Sequence, residues 1–310
     1  MGELEGYPED EPEKEDKGLS RRDFLKGGLA LAGFALGVTP AESRAETPEQ
    51  NRVVKNSKIE LMSDHNMHKG FARHKVHATF EGGKEKLVGS FLNMEDGHAK
   101  ADFVSNKKHP QFFDGSGRPN FQDIRKNQKN TVLIVAGGFL SPKGHHQIKG
   151  IAVEHGEMVG ENTPAGELNG LLVIRNGVPT IEYLKQIPDI NAFLAQAKKE
   201  GWSLFQQSSF IRPGGKFQSS NPSKYELRFF VEGEGKKGVI NFSEDMTYNE
   251  ALQVMQKMTN FRIEKAICLD TGIASEGYLY DKSGKDYLMV DEDFGKGHDC
   301  TNMLVLYSDK

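Results

Sequence analysis

Short apolar or alternating runs, separated by glycine, proline and polar residues, recur along most of the chain. In the runs Val76–Phe80 and Leu87–Phe91 the less polar side chains fall at every second position. This period is typical of antiparallel strands that have one face in solvent. The run Val132–Ala136 is apolar throughout and ends at Gly137 and Gly138, which predicts a central buried strand followed by a tight turn.

Further strands are predicted wherever an apolar run of similar length returns, at residues 151–153, 171–174, 239–242, 266–269 and 303–306. The second of these runs is followed by Asn176 and Gly177, a pair that favours a hairpin turn. Residues 105–130 are polar and are interrupted by prolines and glycines, so the pattern there predicts a loop with little regular structure.

Two segments have the apolar period of an amphipathic helix. The first, residues 190–200, has Asp189 as a capping residue and Gly201 as a stop. The second, residues 248–258, follows a threonine and contains a glutamate at capping-box spacing, and its methionines are interpreted as core residues, not as metal ligands. Because strands dominate and helices are few, the predicted fold class is α+β with a mixed, mostly antiparallel sheet.

Residues 1–45 have the features of an export signal. Ser20–Lys26 contain an arginine pair followed by Phe-Leu-Lys, the twin-arginine signature. The apolar stretch 27–38 is shorter than the ~20 residues of a membrane span, and small residues at 43 and 45 suit cleavage after Ala45. An arginine pair before a buried helix is the alternative interpretation. We therefore expect a signal peptide with an acidic leader, the twin-arginine translocase as a partner during export, and a periplasmic or secreted protein.

After the signal, the sequence predicts one continuous unit made of a strand-rich N-terminal part, 46–129, and a core, 130–310. A separate small domain at 46–129 is the alternative, but no Pro/Gly/Ser linker divides the two parts. The net charge of −4 does not indicate nucleic-acid binding, which favours a basic face. No later segment is apolar over the length that a stable membrane span needs.

The cysteines and histidines leave several interpretations open. Cys268 and Cys300 either form a disulfide in an exported protein or are two small buried side chains. Four histidines lie between His65 and His77, and two more are adjacent at 145–146, so a metal-binding protein is one hypothesis. Solvated histidines are the simpler interpretation, because structural zinc sites have tighter ligand pairs. The cofactor is therefore unknown, and a divalent metal stays open.

Asp270, Thr271 and Gly272 follow a predicted buried strand. A carboxylate in this place, followed by a glycine turn, is a common way to display an acid in a cleft. A turn-capping aspartate that binds its own backbone is the structural alternative. Asp-Thr-Gly also occurs in aspartic proteases, which need two such carboxylates. Because the chain has a single Asp-Thr-Gly, that interpretation requires a homodimer.

Several segments, taken in order, resemble the phosphodiester glycosidase family over residues 130–308. Val135–Leu140 is similar to the family's Asn-Gly-Gly-Phe-Phe turn, and Gln207–Phe210 to its Gln-Ser/Thr-Gly-Pro segment. Ala266–Asp270 is similar to the strand before the family's Gly-Gly-Gly-Ser loop. The remaining similar places are Lys149–Gly156, Asn169–Gly177, Arg228 and the helix start at Met246–Thr247.

The resemblance implies a phosphodiester-glycosidase-like fold and a hydrolase of phosphate-linked sugars, acting on a sugar phosphodiester or glycan in exopolysaccharide or envelope glycan metabolism. Asp270 would act as a general acid or base, or as a metal ligand, and Arg228 would bind the anionic phosphate. A surface strand arginine is the alternative for Arg228. The expected substrate-binding residues are Gly137, Gly138, Ser208, Thr271, Gly272 and Ser275.

The chain departs from the family pattern at the expected site. Thr271 and Ile273 replace two glycines of the loop, and their side chains would obstruct the approach of a phosphate to backbone N–H groups. Ala136 stands where the family has the asparagine that precedes the Gly-Gly turn. The alternative function is therefore a catalytically inactive periplasmic member of the same fold that binds glycans or a protein.

Overall fold

A computed structural model of the chain describes residues 52–62, 66–95, 97–114, 117–139, 147–213, 215–216, 223–270, 277–284, 286–288 and 301–309. The strand content is 52% and three α-helices accompany the strands. The fold class is therefore α+β with mostly antiparallel sheets, as the sequence predicts. Nineteen strands lie within these residues and form three sheets.

Most strands are short, and the longest has 11 residues. In chain order the strands are β1 Val54–Leu61, β2 Phe71–Phe80, β3 Glu85–Met94, β4 Ala99–Ser105, β5 Thr131–Ala136, β6 Ile148–Glu154, β7 Glu157–Met158, β8 Gly160–Glu161, β9 Gly170–Arg175, β10 Val178–Tyr183, β11 Ser203–Gln207, β12 Ser209–Arg212, β13 Gly215–Lys216, β14 Tyr225–Gly233, β15 Lys236–Met246, β16 Lys265–Cys268, β17 Gly277–Tyr280, β18 Asp286–Leu288 and β19 Asn302–Ser308.

The largest sheet has eight strands in the order β1-β2-β3-β15-β14-β16-β12-β13. Strand β14 is antiparallel to both of its neighbours, β15 and β16, so these two neighbours run parallel to each other. Strands β3 and β15 approach closely, because a Cβ on Gly89 or Gly238 would overlap a backbone carbonyl of the opposite strand. Glycine at these two positions therefore permits the close pairing of β3 with β15, which connects the N-terminal part of the chain to the rest of the sheet.

The other two sheets contain the predicted hairpin and the predicted central strand. The six-stranded sheet has the order β10-β9-β11-β6-β7, with β8 paired to β6. Its β9–β10 hairpin turns at Asn176 and Gly177, which both have positive φ, so the hairpin prediction is confirmed. The five-stranded sheet has the order β18-β17-β5-β19-β4. Strand β5 lies in its middle and is buried along its whole length, which confirms the prediction for residues 132–136.

The main hydrophobic core takes side chains from all three sheets, including Leu133, Phe205 and Phe230. The rings of Phe103 and Phe205 stack with their centroids 4.9 Å apart. A second cluster, with Ile134 among its members, covers the opposite face of the five-stranded sheet, because successive side chains of a strand point to opposite faces. Burial of these apolar side chains is the main force that holds the sheets together.

The two predicted helices are confirmed as α2 (Ile190–Glu200) and α3 (Tyr248–Gln256). Asp189 caps α2 by accepting two backbone N–H groups, and Gly201 ends it in the left-handed conformation, with φ of 68°. At the start of α3 the predicted threonine and glutamate make both hydrogen bonds of the capping box. The methionines of this segment are buried, as expected for core residues.

The prediction of a loop without regular structure over 105–130 is wrong. The segment contains a 3₁₀ helix, Pro110–Phe112, and a short helix, α1 (Phe121–Asn127). Asn120 caps α1 by accepting the N–H of Asp123 at 3.2 Å, and Ile124 is its buried residue. A helix of 7 residues contains too few apolar positions for the helical period to be recognised.

Strands from the N-terminal part pair with later strands in two of the sheets, β3 with β15 and β4 with β19. Of the helices within the described ranges, none combines the length and the apolar character that crossing a membrane requires. Residues 1–51, which contain the predicted export signal, lie outside the described residues.

Candidate active site

Strand ends from all three sheets meet at the carbonyl oxygen of Gly137, directly after β5. This oxygen accepts the backbone N–H of Asp270, which follows β16, at 3.1 Å. It also accepts the side-chain Nε2–H of Gln207, the last residue of β11, at 2.8 Å. One carbonyl therefore fixes the end of the five-stranded sheet against an end of each of the other two.

Two further backbone hydrogen bonds attach the remaining predicted residues to the same place. The N–H of Leu269 donates to the carbonyl of Arg228 at 2.9 Å, and the N–H of Cys268 donates to the carbonyl of Ser208 at 2.9 Å. The structure thus brings together Gly137, Ser208, Arg228 and Asp270, four residues that the sequence assigns to one site although they are distant along the chain.

Gly137 and Gly138 are held by Asn302, the first residue of β19. The N–H of Gly137 donates to the Asn302 carbonyl at 3.3 Å, and the N–H of Gly138 donates to its Oδ1 at 2.5 Å. A Cβ on Gly137 would lie 2.7 Å from Asn302 Oδ1, and one on Gly138 would lie 3.0 Å from Cγ2 of Ile148. The glycines are therefore needed for close packing, and both of their N–H groups are used within the protein.

Arg228, in β14, is fully buried, so the alternative of a surface arginine is wrong. Its Nε donates to Oδ1 of Asn241 in β15 at 3.1 Å. Gly277, at the start of β17, leaves room for the guanidinium, because a Cβ there would lie 3.1 Å from Nη2. An arginine stays protonated in proteins, so the site contains a permanent positive charge.

Asp270 is half-buried and acts electrostatically on its neighbours. Burial raises the pKa of the Cys268 thiol, the charge of Asp270 raises it further, and the charge of Arg228 opposes both. Burial also raises the pKa of Tyr248, with a smaller contribution from Asp270. Cys268 is a buried free thiol, and with its raised pKa it stays protonated and is not a nucleophile. Of Cys268 and Asp270, the latter is therefore the candidate for acid–base chemistry.

Ser208 lies in the connection between β11 and β12 and is buried. Its backbone N–H donates to Oε1 of Gln207 at 3.3 Å. Its hydroxyl makes no hydrogen bond with another residue in the part of the chain that the structure describes.

Three of the predicted site residues, Thr271, Gly272 and Ser275, lie outside the described residues, as does Cys300. The roles of the three site residues stay predictions. Cys268 is a free thiol in the structure, which agrees with the alternative of a small buried side chain.

Two asparagines belong to the site although the sequence analysis does not identify them. Asn241 interrupts the apolar run 239–242, and Asn302 directly precedes the run 303–306. Both side chains are buried. A polar side chain within or beside a buried strand requires a hydrogen-bonding partner, and this is the signal in the sequence that could have identified them.

The histidines of the metal-binding hypothesis have other partners where they are described. The ring of His74 lies 5.7 Å from that of Phe91, and Nε2 of His77 lies 3.5 Å from a carboxylate oxygen of Glu60. Within the described ranges no group of three or more His, Cys, Asp or Glu side chains is arranged to hold a metal ion. Three further histidines of the hypothesis lie outside those ranges.

The likeness to the phosphodiester glycosidases consists of short motifs in order, several of which the fold places around the Gly137 carbonyl. No protein-family model and no curated protein matches the sequence.

Proposed function

We propose that the protein is an exported hydrolase of phosphate-linked sugars, with Asp270 as the acid–base residue and Arg228 as the cation. The observation that supports this most is the convergence at the Gly137 carbonyl, which accepts Asp270 N–H at 3.1 Å and Gln207 Nε2–H at 2.8 Å. Segments that resemble three separate parts of the phosphodiester glycosidase pattern meet at this one atom.

The reaction needs the two charged groups that the site contains. Hydrolysis adds water to the sugar carbon and expels a phosphate monoester, whose developing negative charge requires a fixed cation or aligned N–H donors. The N–H groups of Gly137 and Gly138 already donate to Asn302 and are not available to a phosphate. In this proposal the stabilising positive charge therefore comes from Arg228. Asp270 takes the proton of the attacking water, a step that contributes roughly 10²–10⁴-fold in enzymes.

The charged side chains of Asp270 and Arg228 differ in their exposure to solvent. Asp270 is half-buried and is the group that substrate and water would contact. Arg228 is fully buried. The hydrogen bond of 3.1 Å from its Nε to Oδ1 of Asn241 fixes the direction of its side chain. A fixed charge away from water acts strongly on a nearby phosphate, because the local dielectric is low.

The second candidate function is a catalytically inactive protein that binds glycans or a protein partner at the same place. Two observations favour it. Ala136 is fully buried in an apolar cluster with Ile134 and Val305, so the position before Gly137 supplies no polar group. In addition, the glycine pair has no N–H left for a phosphate. A protein that only binds its ligand needs the fold, but it needs neither a polar side chain before Gly137 nor free N–H groups in the glycine pair.

Hydrolysis of N-acetylglucosamine-1-phosphodiester and related sugar phosphodiesters by the mature protein, with and without divalent metal, tests the proposal. Asp270→Asn should reduce kcat by about 100-fold or more, and Arg228→Lys should reduce it while keeping a buried cation. The matched surface controls Asp123→Asn and Arg262→Lys should keep full activity. No turnover of any phosphodiester by folded protein would support the binding function instead.

Export is a separate part of the proposal and has its own test. Expression of the full chain with Arg21 and Arg22 both changed to lysine should leave the precursor inside the cell, since the twin-arginine route reads this pair. Normal cleavage and export of that variant would contradict the proposed route without affecting the proposed reaction.

A further inference from the structure

A cavity of about 310 Å³ lies among β4, β19, α1 and the turn that follows β6. The floor of the cavity is apolar and consists of Val104, Phe112, Ile124 and Val305. Its rim is polar and consists of Asp102, Lys108, His109, Asn127, Gln128 and His155. Ligand pockets span roughly 300–1,000 Å³, so this cavity has the size for one small molecule. None of the residues assigned to the candidate active site lines it.

The first notable group of this cavity is a buried carboxyl–imidazole pair. Glu154, the last residue of β6, is fully buried, and its Oε1 lies 2.9 Å from Nε2 of His109. The hydroxyl of Ser105 donates to the other carboxyl oxygen, and its backbone N–H does so at 3.2 Å. Burial raises the pKa of Glu154 to about 7 and lowers that of His109. Oε1 of Glu154 has no hydrogen-bond partner among the described residues, so Nε2 of His109 lies beside it without a hydrogen bond. Nδ1 is the ring nitrogen that this contact leaves for a ligand.

A second imidazole, that of His155, also lies beside a carboxylate. Nε2 of His155 lies 3.1 Å from Oδ1 of Asp102, and this hydrogen bond is the main cause that raises the pKa of His155. The backbone of His155 has a φ of 47°, a conformation that is uncommon for residues with a side chain. A carboxylate behind an imidazole fixes the ring orientation and the tautomer. Two imidazoles fixed in this way line the same cavity.

The charges around the cavity are matched in pairs. His155 lies beside Asp102, and Nζ of Lys108 lies 3.3 Å from a carboxylate oxygen of Glu157. An ionic ligand would therefore find no uncompensated charge to bind. A hydroxyl group suits both imidazoles whichever ring nitrogen carries the proton, since it both donates and accepts. The amides of Asn127 and Gln128 have the same double capacity.

We propose that this cavity binds one neutral sugar ring, with His109 and His155 as its hydrogen-bonding residues. The hydroxyl groups of the sugar contact the imidazoles and amides of the rim, and its C–H face packs on the apolar floor, which includes Phe112. This site is additional to the one around Asp270 and does not depend on the reaction proposed there. The two carboxyl–imidazole contacts also hold the end of β6 and its turn against β4 and the segment that follows β4, but that structural role needs no cavity.

Binding of neutral sugars by the full mature protein, followed by saturation-transfer NMR and calorimetry, tests the site. Glucose and N-acetylglucosamine are the neutral probes, and glucuronate and glucosamine are matched anionic and cationic probes. We expect saturable, weak binding of a neutral probe and about tenfold weaker binding of both charged ones, the factor that corresponds to about 1.4 kcal/mol.

His109→Phe keeps the ring but removes both nitrogens, and it should weaken binding of the neutral sugar about tenfold. The matched control is His98→Phe, because His98 also lies beside a carboxylate, 3.4 Å from Oδ1 of Asp309, but outside the cavity. Asn127→Ala changes an exposed rim residue, and it should weaken binding about threefold. If His109→Phe does not fold, the Asn127→Ala variant still tests the site.

Three results would overturn the proposal. The first is that no neutral sugar saturates the protein at the highest soluble concentration. The second is that a charged probe binds more tightly than its neutral counterpart. The third is that neither His109→Phe nor Asn127→Ala weakens binding relative to His98→Phe, which would place any sugar site elsewhere.

Discussion

The substitution Glu154→Gln should make the protein clearly more stable above neutral pH and change its stability little in mild acid. Burial raises the pKa of Glu154 from its ordinary value of 4.5 to about 7 in the folded protein. Between these pH values the unfolded chain loses this proton while the folded protein keeps it. The stability of the folded protein therefore falls as pH rises through this window and is constant above it.

The magnitude follows from the two pKa values. A gap from 4.5 to about 7 corresponds to roughly 3 kcal/mol of unfolding free energy, since one pKa unit is about 1.4 kcal/mol. Glutamine imitates the protonated form of the side chain. It keeps an oxygen for the hydroxyl and N–H of Ser105, and its amide nitrogen takes the place of the oxygen beside Nε2 of His109. The variant therefore avoids the cost of a buried negative charge without losing the hydrogen bonds.

Urea unfolding between about pH 5 and about pH 8 measures this difference. Trp202, the one tryptophan of the chain and a buried residue, reports unfolding by its fluorescence. The matched control is Glu157→Gln, because Glu157 is exposed and paired with Lys108 and should not change the pH dependence. The titratable neighbours of Glu154 are His109, His155, Asp102 and Lys108, and they are common to wild type and variant.

The expected free-energy gap between the variant and wild type is below about 1 kcal/mol near pH 5 and grows to roughly 3 kcal/mol in favour of the variant near pH 8. A gap that stays near zero at both pH values would mean that His109 gains a proton as Glu154 ionises, so that the pair becomes an ion pair. That result would refute the reasoning from burial.

Two further substitutions test other parts of the fold. Gly137→Ala should lower stability by about 1–3 kcal/mol in thermal unfolding, because its Cβ would lie 2.7 Å from Asn302 Oδ1; Gly166→Ala meets open space, and an equal loss there would contradict this explanation. Arg52→Met should cost about 2 kcal/mol at neutral pH, because Arg52 Nε lies 2.8 Å from the buried carboxylate of Glu250. Burial raises the pKa of Glu250, but hydrogen bonds from Arg52 and Thr247 hold it below its usual value, so the loss should shrink as urea unfolding is repeated at lower pH. A loss that is independent of pH would assign the effect to packing instead.

The helices and buried strands could be predicted because their signals are local. Asp189 and Gly201 mark both ends of α2 within a few residues of the apolar stripe, and the uninterrupted run 132–136 identifies a strand covered on both faces. Helix α1 could not be recognised, since its cap at Asn120 is followed by only two turns of helix. The apolar period of a helix can be recognised only when it recurs over several turns.

The burial of Arg228 could not be settled from the sequence. Residues 227–231 are buried on both faces of β14, so alternation no longer separates inward from outward positions. The arginine is accommodated by features at two distant places, Asn241 on the next strand and the absent Cβ of Gly277. Contacts of this kind depend on which strands pair, and a single sequence does not give that pairing.

The candidate active site and the proposed sugar cavity meet at one strand pair. Asn302 of β19 lies opposite Ser105 of β4 in the register, and both residues are fully buried. Asn302 holds the glycine pair after β5, whereas Ser105 holds the carboxyl group of Glu154. Each polar side chain thus stands at the end of its strand and fixes a different connection. The end of the β4–β19 ladder therefore does more than close the five-stranded sheet: it sets the position of both groups of polar residues.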